Sequence, residues 1–335
     1  MEHFGSRAAA SFGFKDILYE KGDFVARITI NRPEAYNAYR TGTLEELITA
    51  FDDASADDQV AVIVYTGAGD KAFCTGGDVK EYSAIYTKRP RDYFKYMGLF
   101  SKYLESILRT GKVVIARING AAVGGGNESQ LACDLAVMAD DTYLGQVGTG
   151  VGSVAAGGAT QWLSIHVGDR RAREMLFLNP KIPASKALEW GLVNRVVPRE
   201  KLDQEIDTLI EQLLDKFPEC TRYTKAQVNY WKEQAWYATV GHARDWLSTH
   251  FTTVEPYEGM RAFVEKRRAD YRGLRRKAAE GGSSEFLWGP YVHTCSSCGA
   301  VGIPAEFSFC GQCGASLDGA ALGVAASEGA DAKPR

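Results

Sequence analysis

At 335 residues, 45% of them apolar and with a formal net charge of −3, the chain has length for one large domain with a buried core plus a small module. That charge balance leaves no basic footprint for nucleic acid, and the short basic clusters are interleaved with acids, as on a solvated face. No stretch approaches the ~20 apolar residues that span a bilayer, and residues 1–14 lack the layout of a secretory signal.

Residues 15–30 (KDILYEKGDFVARITI) read as two short strands joined at Lys21-Gly22-Asp23. Asn31-Arg32-Pro33 breaks that pattern, and residues 41–54 carry a helical period. The run VAVIVY at 60–65 has the continuous apolar character of a strand buried on both faces, and 112–118 and 135–138 are two more such strands. Helices are expected over 91–108 and 203–216, and strands alternating with helices argue for an α/β fold. From about Glu280 the texture changes to Gly281-Gly282-Ser283-Ser284, a linker, then a cysteine module, then an Ala/Gly-rich tail. The expected organisation is a main domain at 1–280, linker and module at 281–318, and a disordered tail at 319–335.

Of seven cysteines, four cluster near one end, which is a metal pattern rather than a disulfide framework and fits a reducing cytoplasm. Cys295-x-x-Cys298 and Cys310-x-x-Cys313, each followed by glycine, offer four thiolates to a tetrahedral zinc ion able to fold a segment too small for its own core. A four-cysteine site has no open coordination position, so the expected zinc ribbon is structural. Docking of a protein partner or support of an oligomer is its expected role.

Two glycine-rich segments carry most of the chemical information. One is Ala72-Phe73-Cys74-Thr75-Gly76-Gly77-Asp78; the other is Asn119-Gly120-Ala121-Ala122-Val123-Gly124-Gly125-Gly126-Asn127-Glu128. Glycines at strand ends let main-chain N–H groups approach a ligand, and a helix starting after the second set adds its positive dipole end. Either segment alone also serves as an ordinary turn. The spacing G-x-G-x-x-G is absent from the first βα turn, which disfavours dinucleotide binding.

With Asn31-Arg32-Pro33, Asn37-Ala38, Cys133-Asp134-Leu135, Gly145-Gln146 and the stretch ALEWGLVNRVVP at 187–198, these segments resemble the crotonase (enoyl-CoA hydratase/isomerase) superfamily over roughly residues 15–275. The resemblance implies a spiral of ββα units with two roughly perpendicular sheets, a C-terminal helical region, and assembly into homotrimers or homohexamers. It implies an acyl-CoA substrate whose thioester oxygen is held by the N–H groups of Gly77 and Gly125. Losing one such donor typically costs roughly 3 kcal/mol of barrier stabilisation. Thr75, Asp78 and Val79 are implied for the adenine end of coenzyme A.

Simple hydratases of the superfamily hold water between two glutamates. The resemblance places one at Glu128, the expected general base, and puts Gly148 where the other stands. The side-chain-poor loop at 145–158 suggests room for a wide acyl group, or else tight packing. Across Cys74-Thr75-Gly76-Gly77, Lys80-Glu81-Tyr82, Tyr86, Tyr93, Tyr96-Met97 and Gly152-Ser153 the chain is most similar to the ring-opening branch, the 6-oxocyclohex-1-ene-1-carbonyl-CoA hydrolases. That similarity implies hydration and hydrolytic C–C cleavage of a cyclic oxo-enoyl-CoA. Tyr82, Tyr86 and Ser153 are candidates for the ring ketone. Cys74 and His166 are read as packing residues, and Asp78 and Asp134 as backbone or ion-pair organisers. The alternatives are hydratase or isomerase activity on another acyl-CoA, and a non-catalytic acyl-CoA-binding scaffold.

Overall fold

A computed structural model describes residues 6–283, 285 and 291–317, so the tail expected from 319 and Ser284 of the linker lie outside the described residues. The chain divides into two compact units, one running to Thr252 and including Pro256–Ala269, the other made of Thr253–Glu255 and the residues from Asp270 on.

The first unit opens with the expected hairpin. Strands β1 (Ile17–Gly22) and β2 (Val25–Ile30) pair antiparallel from Ile17↔Ile30 to Gly22↔Val25. The turn sits one residue later than the glycine suggests: Gly22 stays paired, and Asp23 and Phe24 take the positive φ that a two-residue hairpin loop demands. There follow β3 (Val62–Gly67), β4 (Ala72–Cys74), β5 (Val113–Ile118), β6 (Ala121–Val123), β7 (Leu135–Ala139), β8 (Tyr143–Gly145), β9 (Ile182–Pro183) and β10 (Arg195–Val197). One sheet runs β1-β2-β3-β5-β7-β10, parallel beyond the hairpin, and a smaller one runs β4-β6-β8-β9, parallel except for β8–β9.

The helices are α1 (Thr41–Ala56), α2 (Val79–Glu81), α3 (Pro90–Arg109), α4 (Gly125–Ala132), α5 (Ala159–Val167), α6 (Asp169–Leu178), α7 (Ala184–Glu189), α8 (Leu202–Leu214), α9 (Pro218–Val228), α10 (Tyr230–His250) and α11 (Val254–Val264). The apolar runs of the central strands follow from covering both sheet faces. Ile63 and Tyr65 of β3 and Val114 and Ala116 of β5 face the main core with Leu44, Leu47, Phe51, Tyr103 and Leu104 of α1 and α3. Val62, Val64, Val113 and Ile115, one residue out of phase, meet Leu202, Ile206, Leu209 and Ile210 of α8. Helix α3 starts with proline at its first position and buries Tyr93, Tyr96, Met97, Phe100, Tyr103, Leu104 and Ile107, a single face at helical spacing.

In the second unit α12 (Tyr271–Ala279) precedes the antiparallel pair β11 (Tyr291–His293) and β12 (Ile303–Pro304). Its small core is Cys295, Ile303, Cys310 and Leu317. Among the described residues no helix is long and apolar enough to cross a membrane.

Candidate active site

The small sheet brings the two glycine segments together. Strands β4 and β6 run parallel in the register Ala72↔Ala121 and Cys74↔Ala122, so their following turns leave from the same edge. At that edge main chain touches main chain. A Cβ on Gly76, which sits at φ +86°, would lie 2.8 Å from the Gly125 nitrogen, and one on Gly126 would lie 2.0 Å from the Cys74 carbonyl oxygen. No residue with a side chain fits there without displacing backbone.

Tyr39 decides where the Gly77 N–H points. The Tyr39 N–H donates to the Gly76 carbonyl and the Asp78 N–H donates to the Tyr39 carbonyl, both at 2.9 Å, forming a parallel bridge centred on Gly77. Such a bridge uses the groups flanking Gly77 and turns its own N–H to the opposite side. Gly125 is the first residue of α4, where the N–H has no intrahelical acceptor. Neither N–H donates to an acceptor among the described residues.

Glu128 lies in the first turn of α4 and is 4% exposed. Its Oε1 accepts from the N–H groups of Gly157 (3.0 Å) and Ala159 (3.2 Å), and its Oε2 accepts from none among the described residues. Burial pushes the carboxyl up to about 7, against the pull of those two N–H donors. A carboxyl so placed can take up or release a proton near neutrality.

Several buried phenols lie within electrostatic reach of this carboxyl. Tyr82 shares a hydrogen bond with Tyr96 at 2.7 Å, and its hydroxyl occupies the space a Cβ on Gly77 would need. Glu128 raises the phenols of Tyr39, Tyr82 and Tyr93 further, after burial, and Ser153 bonds the Tyr93 hydroxyl. Tyr86 is turned elsewhere: its hydroxyl bonds Thr41, and the carboxylates acting on it are Glu81, Asp92 and Glu45. Tyr39 did not stand out in the sequence, although it directly follows Asn37-Ala38.

Of the two readings of the loop at 145–158, room or tight packing, its glycines at 148, 157 and 158 follow the second, while Val147, Thr149 and Val154 stay exposed. A Cβ on Gly157 would meet the Phe100 ring at 2.0 Å and Glu128 Oε2 at 2.9 Å, and one on Gly158 would meet Trp162 at 2.5 Å. At Gly148, where hydratases keep a second glutamate, a Cβ would lie 3.0 Å from the Ala155 nitrogen, because the Ser153 N–H closes the loop onto the Gly148 carbonyl at 2.8 Å. The absent side chains thus let backbone pack against neighbouring residues.

In the segment implied for adenine, Thr75 donates to the Tyr36 carbonyl at 3.3 Å and Val79 packs on the main core. Asp78 accepts from the Lys80 N–H and pairs with Arg32, both at 3.0 Å. An open groove of about 280 Å³ lined by Pro33, Tyr36, Asn37, Asp70 and Lys71 lies beside Tyr36. Asp134 takes the Lys225 ammonium at 2.7 Å and the Val114 N–H at 2.8 Å. Cys74 is fully buried, its thiol pushed up to about 12, and burial takes His166 down to about 4.

In the second unit the sulfurs of Cys295, Cys298, Cys310 and Cys313 all lie within 4.8 Å of one another. The contacts Cys295–Cys313 and Cys298–Cys310 are 3.6 and 3.7 Å. A tetrahedron with metal–sulfur bonds of ~2.3 Å has edges of about 3.8 Å, so the donor set fits one zinc-sized ion. The two knuckles repeat one geometry, with Gly299 and Gly314 at φ +75° and +74° and each N–H returning to the carbonyl of the first cysteine at 2.9 Å.

The enoyl-CoA hydratase/isomerase family profile matches residues 20–275. A 6-oxocyclohex-1-ene-1-carbonyl-CoA hydrolase of Geobacter metallireducens is 33% identical over 316 residues, covering 78% of this chain and 83% of that protein. An enoyl-CoA hydratase of Mycobacterium avium subsp. paratuberculosis superposes with a TM-score of 0.70 at 25% identity, covering 77% of this chain and 98% of that one. An enoyl-CoA hydratase/isomerase of Xanthobacter autotrophicus gives 0.67 at 29% identity, covering 80% and 97%. With its glycine turns, buried glutamate and parallel strand edge in place, the chain belongs to the enoyl-CoA hydratase/isomerase family of the crotonase superfamily.

Proposed function

We propose that this acyl-CoA enzyme is a C–C bond hydrolase that hydrates and then opens a cyclic oxo-enoyl-CoA through a thioester enolate. The carrying observation is Glu128: buried, with one oxygen fixed by two main-chain N–H groups and, among the described residues, the other unpartnered, on the helix whose first N–H, that of Gly125, likewise has no acceptor among them. Ionised Glu128 takes a proton from water as the hydroxyl adds to the carbon β to the thioester; the proton passes to the α carbon. A second water attacks the ring ketone. The bond between that carbon and the α carbon breaks, and its electron pair becomes a thioester enolate that is protonated at the α carbon. Two waters are consumed, the ketone becomes a carboxylate, and no electrons are exchanged with another reagent. The N–H groups of Gly77 and Gly125 hold the enolate oxygen in both stages, as preorganised donors in a water-poor site.

Likeness to the ring hydrolase supports the cyclic substrate. Tyr82, whose phenol feels the Glu128 charge, and Ser153, which bonds the Tyr93 hydroxyl, serve the ketone oxygen in this reading, and Tyr86, bonded to Thr41, supports them. Thr75, Asp78 and Val79 shape the turn beside the groove in which we place the adenine end, Asp78 through its pairing with Arg32. Residues 1–280 carry this chemistry, and 281–318 form a module in which the four cysteines hold structural zinc. Those thiols ligate only when reduced, which supports a cytoplasmic setting. Exposed Phe217, Val228 and Trp231 on the α9–α10 stretch support a homotrimer or homohexamer.

Mass spectrometry of products tests the reading. Two waters added to 6-oxocyclohex-1-ene-1-carbonyl-CoA is the expected result. Hydration of crotonyl-CoA alone supports a hydratase with Glu128 as its sole carboxylate, and coenzyme A binding without turnover supports a scaffold.

A further inference from the structure

The tyrosine hydroxyls of the main core have a pattern. Tyr65 bonds Tyr103, Tyr103 bonds Ser129, Tyr82 bonds Tyr96, and Tyr86 bonds Thr41. Ser153 attends Tyr93. The exception is Tyr39, which is 1% exposed, and whose hydroxyl has no hydrogen-bonding partner among the described residues. Phenols so deeply placed ordinarily find one, and the Tyr39 oxygen, not itself sealed off, opens on free space.

The position of that hydroxyl is specific. It lies 1.6 Å from where a Cβ on Gly125 would stand, in the space a glycine alone leaves open. The main chain of the same residue brackets Gly77. Tyr39 therefore touches both halves of the site. Its ring is held against Phe100 (centroids 5.4 Å apart, planes 27°) and Tyr103 (5.9 Å), so the hydroxyl cannot swing away to seek another acceptor.

We propose that the Tyr39 hydroxyl is a third donor to the thioester oxygen, beside the N–H groups of Gly77 and Gly125, which makes Tyr39 a catalytic residue; this rests on the enolate chemistry proposed above. The donor is neutral and transfers no proton. Burial holds the phenol well above its ordinary range, so it remains a donor at every working pH. A rigid, desolvated donor aimed at developing charge needs no reorganisation when the enolate forms. Its missing partner is the substrate.

The test uses the full chain and the chromophoric thioester dimethylaminocinnamoyl-CoA, whose absorbance moves to the red when its carbonyl is polarised, with or without turnover. Tyr39→Phe removes one atom and keeps ring and main-chain bridge. The expected result is loss of much of the red shift, with kcat on the cyclic oxo-enoyl-CoA falling ~10- to 100-fold at little change in KM. An unchanged red shift in Tyr39→Phe, whatever kcat does, overturns the assignment while leaving the two-amide reading intact. Absence of any red shift in the wild type overturns both. Should Tyr39→Phe not fold, 3-fluorotyrosine installed at position 39, a stronger donor of the same shape, must deepen the shift, and an unaltered shift rejects the proposal.

Discussion

Glu128 is acidic by composition and nearly neutral-seeking by position. Burial lifts its pKa from 4.5 to about 7. Between those values the folded chain retains a proton that the unfolded chain has released, so folding stability falls as pH rises through this window and is level above it. At ~1.4 kcal/mol per pKa unit, ionising the native carboxyl forfeits about 3 kcal/mol. Urea denaturation should therefore show Glu128→Gln gaining on the wild type by up to that amount between pH 4.5 and 8, and an equal pH dependence of the two would refute the burial argument. Under the proposed mechanism turnover should carry the opposite sign, because a general base works only when ionised. We expect kcat to rise with pH around 7, and Glu128→Gln to lose ~10²- to 10⁴-fold in turnover at nearly unchanged coenzyme A affinity. Retained turnover would remove Glu128 from the chemistry.

At the scale of one element, α4 concentrates the site. Its first residue presents an N–H with no acceptor among the described residues, its first turn bears Glu128, and its far end is capped from another helix: the Lys232 ammonium of α10 donates to the carbonyls of Leu131 (2.7 Å) and Cys133 (3.3 Å). A cation there satisfies carbonyls left over at a helix end and reinforces the dipole whose positive end is Gly125. A second tether runs from Tyr103 through the Ser129 hydroxyl to the Gly125 carbonyl, at 2.9 and 2.7 Å. Lys232→Met keeps the aliphatic stem and removes the cap. It should cost ~1–2 kcal/mol in thermal unfolding and lower kcat more than it raises KM. A melt and a kcat matching the wild type would show that α4 holds its place without Lys232.

For the molecule as a whole, the two units depend on different forces. The first has a large apolar core on both faces of a sheet, whereas the second, among the described residues, has four buried core residues, two of them cysteines. Segments that small are stabilised by metal rather than by buried area. Metal analysis should find one zinc ion per chain. A strong chelator should open residues 291–317 to proteolysis and spare the circular dichroism of the first unit. A metal-free chain with the same proteolytic resistance would argue against a metal-held fold.

Local spacing alone specified β3, β5 and β7, α3, the glycine turns and the paired cysteines, because period, composition and short-range geometry are properties of neighbouring residues. Folding decided the rest. The N–H groups that hold Glu128 come from residues 157 and 159, the hydroxyl against Gly125 from Tyr39, and the cap on α4 from Lys232. Within the loop at 145–158, whose bare backbone suggests either an open pocket or tight packing, the space beside Gly157 and Gly158 is taken by Phe100 and Trp162 of α3 and α5. Contacts of this kind depend on strand register and helix packing between segments far apart in the chain, and no local pattern encodes them.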